Sequence, residues 1–264
     1  MMRTVLGIHG DTVSVSTLQA WCPTASRRAI AAWVRRQRQQ RRRRLHVVQW
    51  RQAGRVWAMD LSHPPHPIEG QYRELIHVRD LGSHCQLAAL PVARGTASAV
   101  CGLLRALSAV ADPPLVLKVD NGAPFVSHQL RYWAAAVGTA LLYSPPCCPQ
   151  YNGAIEASIG ALTTRAHHAA VAAGHPTYWT CDDIEHARTA ANRARSGGRM
   201  PDALWQRKTR ISVDERRSFQ AHYTAALHRR STLTPRVQQR TAIVDTLQDL
   251  GYVSMVRRAD LVHH

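Results

Sequence analysis

The sequence predicts an α/β fold, a mixed five-stranded sheet flanked by helices and preceded by a basic helical segment. Three observations predict it. Short apolar runs of strand length recur between Gly54 and Tyr143, and two of them end on an aspartate. From Thr96 onward such runs alternate with stretches of helical period. Charge is segregated along the chain: residues 1–50 hold ten Arg against one Asp, whereas residues 54–175 hold eight basic and seven acidic residues.

The N-terminal segment reads as helix, break, helix. Ser16 is placed to cap a helix over Thr17 to Trp21, Cys22-Pro23-Thr24 breaks it, and a second helix starts near Thr24. Ala29, Ile30, Trp33 and Val34 recur at helical spacing in that second helix. It runs into Arg35, Arg36, Arg38, Arg41, Arg42, Arg43 and Arg44, seven arginines in ten residues. The pattern is helix-turn-helix-like, with specific base reading and sequence-independent phosphate contact both open.

Arg55 to Leu61 reads as the first core strand, closed by Asp60. A Pro- and His-rich loop follows to Gly70; His63 and His66 have zinc-like spacing, but the prolines between them prevent a helical pair. Leu75 to Val78 and Gln86 to Leu90 read as two further strands, joined antiparallel through Gly82-Ser83. Thr96 caps a helix through Ala109. Leu115 to Asp120 is a buried-type strand that again ends on Asp, and Asn121-Gly122 makes the turn after it. His128 to Val137 is helical, Thr139 to Tyr143 is a short strand, and Gly153 to Ala173 is a helix. The order is therefore β-β-β-α-β-α-β-α. Asp182, Asp183 and Glu185 open another helix, where acidic residues complement the dipole. The organisation expected is a basic segment over 1–50, a core over 51–205 and a basic helical region over 206–264.

Composition narrows the function. Formal net charge is +17, which calls for a polyanionic partner, most simply nucleic acid. Met1 to Val13 shows no apolar signal core, and the longest uncharged stretch is interrupted by Pro145, Pro146 and Pro149, so no membrane association is expected. The six cysteines form no CxxC pair, which points to a reduced, cytoplasmic chain. Within the core, Asp60, Asp120 and Glu156 are poorly placed for stability as unpaired charges. Converging at one end of a sheet, they call for a hard divalent cation such as Mg²⁺ or Mn²⁺.

These residues resemble a known family. Trp57-Ala58-Met59-Asp60, Lys118-Val119-Asp120-Asn121-Gly122-Ala123-Pro124-Phe125, and Ser144-Pro145-Pro146 through Pro149-Gln150-Tyr151-Asn152-Gly153-Ala154-Ile155-Glu156 are similar to the catalytic core of DDE-type transposases of bacterial insertion sequences, a retroviral-integrase-like core. Thirty-five residues separate Asp120 from Glu156. The resemblance covers roughly residues 50–205. It implies an RNase H-like fold and Asp60, Asp120 and Glu156 as catalytic ligands of two Mg²⁺ (or Mn²⁺) ions. It implies cleavage and strand transfer on double-stranded DNA, both element ends and target, by a homo-oligomer on DNA at the bacterial nucleoid. Asn121 and Gly122 would aim Asp120, and Asn152 and Gly153 would form a flexible loop into the Glu156 helix. The first basic residue after Glu156 is Arg165. A DNA-binding protein without chemistry and a purely hydrolytic RNase H-like nuclease are the alternatives.

Overall fold

The computed structural model describes residues 15–21, 23–44, 46–146, 151–195 and 198–257. Contacts divide the chain into two units, residues 1–49 with 255–264, and residues 50–254. The first holds α1 (Val15–Trp21), α2 (Arg27–Arg44) and most of a two-stranded sheet of β1 (His46–Trp50) and β7 (Val253–Arg257). Leu18 of α1 is buried against Ile30 and Val34 of α2, with Trp33 beside them. Helix α1 already includes Ser16, so Ser16 is not its cap. Helix α2 starts at Arg27 and not near Thr24, because Ser26 supplies the cap: its Oγ accepts the Ala29 N–H at 3.2 Å.

The second unit is built on five strands: β2 (Val56–Ser62), β3 (Glu74–Asp80), β4 (Gln86–Val92), β5 (Val116–Val119) and β6 (Ala140–Tyr143). Their order is β4-β3-β2-β5-β6. The first three meander antiparallel, while β5 lies parallel to both β2 and β6. This is the mixed sheet expected of the RNase H-like arrangement, and its parallel half needs the helical crossovers that the sequence supplies. These are α3 (Ala97–Val110), capped by Thr96, and α4 (His128–Val137), capped by Ser127 and ended by Gly138 in the left-handed region at φ 66°. Helix α5 (Gly153–Ala172) follows β6, then α6 (Cys181–Arg193) with a complete Thr180/Asp183 capping box.

Strand alternation sorts the two faces. Trp57, Met59, Ile76, Val78, Leu117 and Val119 face one core with Val100 and Leu104 of α3 and Leu130 and Trp133 of α4. Leu75 points the opposite way, into a second core with Leu162, Ala166 and Ala170 of α5 and Ile184 and Ala187 of α6. The sheet is thus sandwiched between helix layers.

Beyond the core come α7 (Pro201–Gln206), α8 (Val213–Arg229) and α9 (Pro235–Asp249). Helices α8 and α9 pack on each other, and α9 also lies along β6. Arg55, only 4% exposed, grips Glu215 of α8 with two bonds of 2.8 and 2.9 Å. At the other sheet edge Asn192 of α6 accepts the Gln86 N–H at 2.7 Å and donates to the Gln86 carbonyl at 3.0 Å. Among the described residues no helix is long and apolar enough to cross a membrane.

Candidate active site

Parity places the carboxylates. In β2, Trp57 and Met59 face the α3/α4 core, so Ala58 and Asp60 face the α5 side. In β5, Leu117 and Val119 do the same, which turns Lys118 to the α5 side, where Asp120 follows two residues later. Ala58 and Lys118 are register partners on the parallel β2–β5 pair, so Asp60 and Asp120 lie level on adjacent strands; Asp120 follows the last residue of β5, but Asp60 does not close its strand as expected, because β2 stays paired with β3 through Ser62.

The turn after β5 explains the Asp-Asn-Gly-x-x-Phe pattern. Asp120 Oδ1 accepts the Gly122 N–H at 2.8 Å, folding the carboxylate over its own turn. A Cβ on residue 122 would sit 3.0 Å from that same oxygen, so glycine permits the approach. The Phe125 N–H bonds the Gly122 carbonyl at 2.9 Å, and the Phe125 ring is buried in the core, which anchors the turn. Asn121 donates through Nδ2 to the Ser144 carbonyl at 2.9 Å, linking this turn to the end of β6.

Glu156 lies in the first turn of α5 and is exposed. Asn152 and Gly153, expected to form a flexible loop, are the cap position and the first residue of α5, and several side chains bond this helix entry. Asn152 Oδ1 accepts from Lys118 Nζ at 3.0 Å and from Ser144 Oγ at 2.7 Å. Lys118 Nζ also donates to the Tyr151 carbonyl and sits 4.4 Å from the centre of the Tyr151 ring. Arg79 of β3 donates to the Ala154 carbonyl at 2.6 Å. Gly153 is the first helical residue after Asn152. Cys147 to Gln150 lie outside the described residues.

The electrostatics of the site bear on Asp60. Burial raises the Asp60 pKa to about 6; the Leu61 N–H, 2.8 Å from Oδ1, opposes this, and Asp120 and Glu156 add to it, while Lys118 pulls it down. Among the described residues, no group of three or more His, Cys, Asp or Glu side chains is arranged as a metal-holding cluster. The donor set itself is all oxygen and all anionic, which suits a hard cation.

Of the arginines expected to meet DNA, Arg35 and Arg36 are exposed on α2. Arg38, Arg41, Arg42, Arg43 and Arg44 continue that helix, and their side chains lie outside the described residues. Lys118 is the residue that sequence reasoning passed over. The signal for it is a lysine alternating with apolar strand residues, which marks a buried cation with a fixed partner. His63 is largely exposed and lies 3.6 Å from Glu74, away from any metal-ligating cluster among the described residues.

No protein-family model matches this chain, and no curated protein does. Among solved structures, the chain is similar to the HTLV-2 integrase catalytic core domain in complex with magnesium, in a dimeric form, at 15% identity and a TM-score of 0.49. That match covers 58% of this chain and 97% of the other. The catalytic core domain of BIV integrase is similar at 21% identity and a TM-score of 0.47, covering 58% of this chain and 94% of the other.

Proposed function

We propose that this chain is a DDE-type polynucleotidyl transferase that cuts DNA and joins the cut end to a target, as a transposase of a bacterial insertion element does. One observation carries the reading: Asp60 within β2 and Asp120 just past β5 lie level on adjacent parallel strands, and both Asp120 and Glu156 push up the pKa of a half-buried Asp60. The resemblance of the surrounding motifs to integrase-like transposases agrees with it.

Asp60, Asp120 and Glu156 would hold Mg²⁺ or Mn²⁺, two ions in the family's manner. When bound, such ions supply activation of the attacking oxygen and stabilisation of the leaving oxygen at phosphorus. The attacking oxygen, from water or a DNA 3′-hydroxyl, forms the new P–O bond as the old P–O bond breaks in line, and the proton passes to solvent. The chain's own groups position this chemistry. Gly122 and Leu61 N–H groups orient the two aspartates. Lys118, Ser144 and Arg79 fix the start of the helix that carries Glu156. The basic residues 1–50 would hold duplex DNA, and the active form would be a homo-oligomer on that DNA.

The test is nicking and strand transfer on duplex oligonucleotides carrying the element's terminal sequences, with Mg²⁺ or Mn²⁺. Asp60→Asn, Asp120→Asn and Glu156→Gln should each lower both steps about a thousandfold or more while DNA binding persists. Nicking without joining of a pre-nicked end would make the protein a nuclease. Binding without either step would make it a DNA-binding protein.

A further inference from the structure

Three arginines outside the carboxylate site line two adjoining clefts, Arg236 and Arg240 the first and Arg131 and Arg236 the second. Between α9 and β6 runs a groove of about 230 Å³, lined by Tyr143, Ser144, Pro146, Arg236 and Arg240 among others. A neighbouring cleft of about 430 Å³ shares Tyr143 and Arg236 with it and extends the cationic wall to Arg131 of α4. Burial pushes the Tyr143 phenol pKa up, and Arg131 and Arg236 both pull it down, so the two guanidinium groups act on one spot.

These arginines differ from their neighbours. On the same helix pair, Arg229 reaches Asp249 at 3.3 Å and Arg230 reaches Asp245 at 2.9 Å. Among the described residues no carboxylate lies within ion-pairing distance of Arg131, Arg236 or Arg240. The polar contact of Arg236 is with a neutral amide: Nη1 donates to Asn121 Oδ1 at 3.3 Å. A guanidinium carries five N–H donors, so most of its capacity remains for an anion. Asn121 directly follows Asp120, and Ser144, on the groove wall, bonds Asn152 at the start of α5. The groove therefore abuts the two segments that carry Asp120 and Glu156.

We propose that this groove binds a backbone phosphate of duplex DNA, with Arg236 and Arg240 donating to its non-bridging oxygens and Arg131 meeting the next phosphate along. Only the identity of that DNA as the strand being cut rests on the proposed transferase activity. Arginine suits this role because its planar fork matches two phosphate oxygens. The site would hold the substrate strand beside the Asp120 turn through contacts that carry no sequence information.

The experiment measures binding of a fluorescein-labelled duplex oligonucleotide to the full chain by anisotropy across a salt series. Arg236→Ala/Arg240→Ala should weaken binding and lower the log–log salt slope by about 0.9, the loss of one phosphate contact. Arg236→Lys/Arg240→Lys should keep most of the slope. Arg210→Ala/Arg217→Ala removes the same charge from two exposed, carboxylate-paired arginines and should leave the slope near wild type. An unchanged slope in the Arg236/Arg240 alanine variant, or an equal fall in the Arg210/Arg217 control, would overturn the proposal. Neither binding readout needs catalysis. Loss of slope in a protein that never nicks DNA would sustain the groove and remove the transferase reading, whereas normal nicking with an unchanged slope would do the reverse.

Discussion

Lys118 Nζ donates to Asn152 Oδ1 across 3.0 Å, tying the strand that delivers Asp120 to the residue that opens the Glu156 helix. The two carboxylate-bearing elements are thereby spaced by a bond that neither carboxylate makes. Lys118→Met keeps the unbranched stem to the fourth side-chain atom and removes the ammonium that makes that bond. The nicking rate at saturating DNA should fall on the order of a hundredfold, the loss that a misplacement of about 1 Å produces. KM for DNA should change little. An equal loss in kcat and in DNA affinity would mean that Lys118 contacts the substrate instead.

The Asp60 carboxyl gives a pH signature. Its folded-state pKa is raised to about 6 from an ordinary 3.8. Its contribution therefore favours the fold below the unfolded value and is lost as pH rises through about 6. Thermal melting of wild type and Asp60→Asn should diverge between pH 4 and 7, in favour of Asn, and stay parallel above that. At pH 7, Mg²⁺, Mn²⁺ or Ca²⁺ should raise the wild-type Tm selectively, reflecting a stabilisation of about 2.7 kcal/mol at one hundred times Kd. Equal shifts in both proteins would show that Asp60 holds no cation.

Arg55 and Glu215 make the test of stability. Glu215 also accepts the Tyr252 hydroxyl at 2.7 Å, and Arg55 also donates to the Thr209 carbonyl at 2.7 Å. Removing one partner strands the other charge in a buried position. Glu215→Ala should cost about 3–5 kcal/mol, measured by urea unfolding with an unchanged slope. A loss under about 1 kcal/mol would place the pair in the class of solvated surface bridges.

The basic flank should carry much of the salt dependence. Deleting residues 1–50 removes ten Arg and one Asp. If about five of those arginines meet phosphates, the log–log salt slope for duplex binding should drop by roughly 4 to 5. An unchanged slope would leave the segment as a solvated helix.

Much of the sheet was legible because period-two burial and period-3.6 burial leave different marks. His128–Val137 is bounded as the sequence predicts, and Thr96 caps its helix. The β1–β7 pair was not legible: its strands are separated by some two hundred residues, and no local pattern announces so distant a partner. Helices α8 and α9 were read only as a basic helical region. Their buried residues, such as Phe219, Ile243 and Leu247, are too few to mark which surface they would cover. At the candidate site, an aspartate on each of two strand-length apolar runs and the turn after Asp120 could be read from spacing, although β2 continues past Asp60 to Ser62. The bonds from Lys118 and Arg79 to the α5 entry could not, because each joins residues far apart in the chain.

Asn192 has a consequence for life at high concentration. An exposed outer strand offers its free backbone groups to any neighbouring chain as a template. On β4 the side-chain amide of Asn192 already occupies both backbone groups of Gln86, and Pro91 has no N–H to offer. That flank of the sheet is blunted at these two positions as a template for strand-by-strand growth. Crowding many copies along one polyanion, as the charge of this chain invites, need not seed fibrils from it.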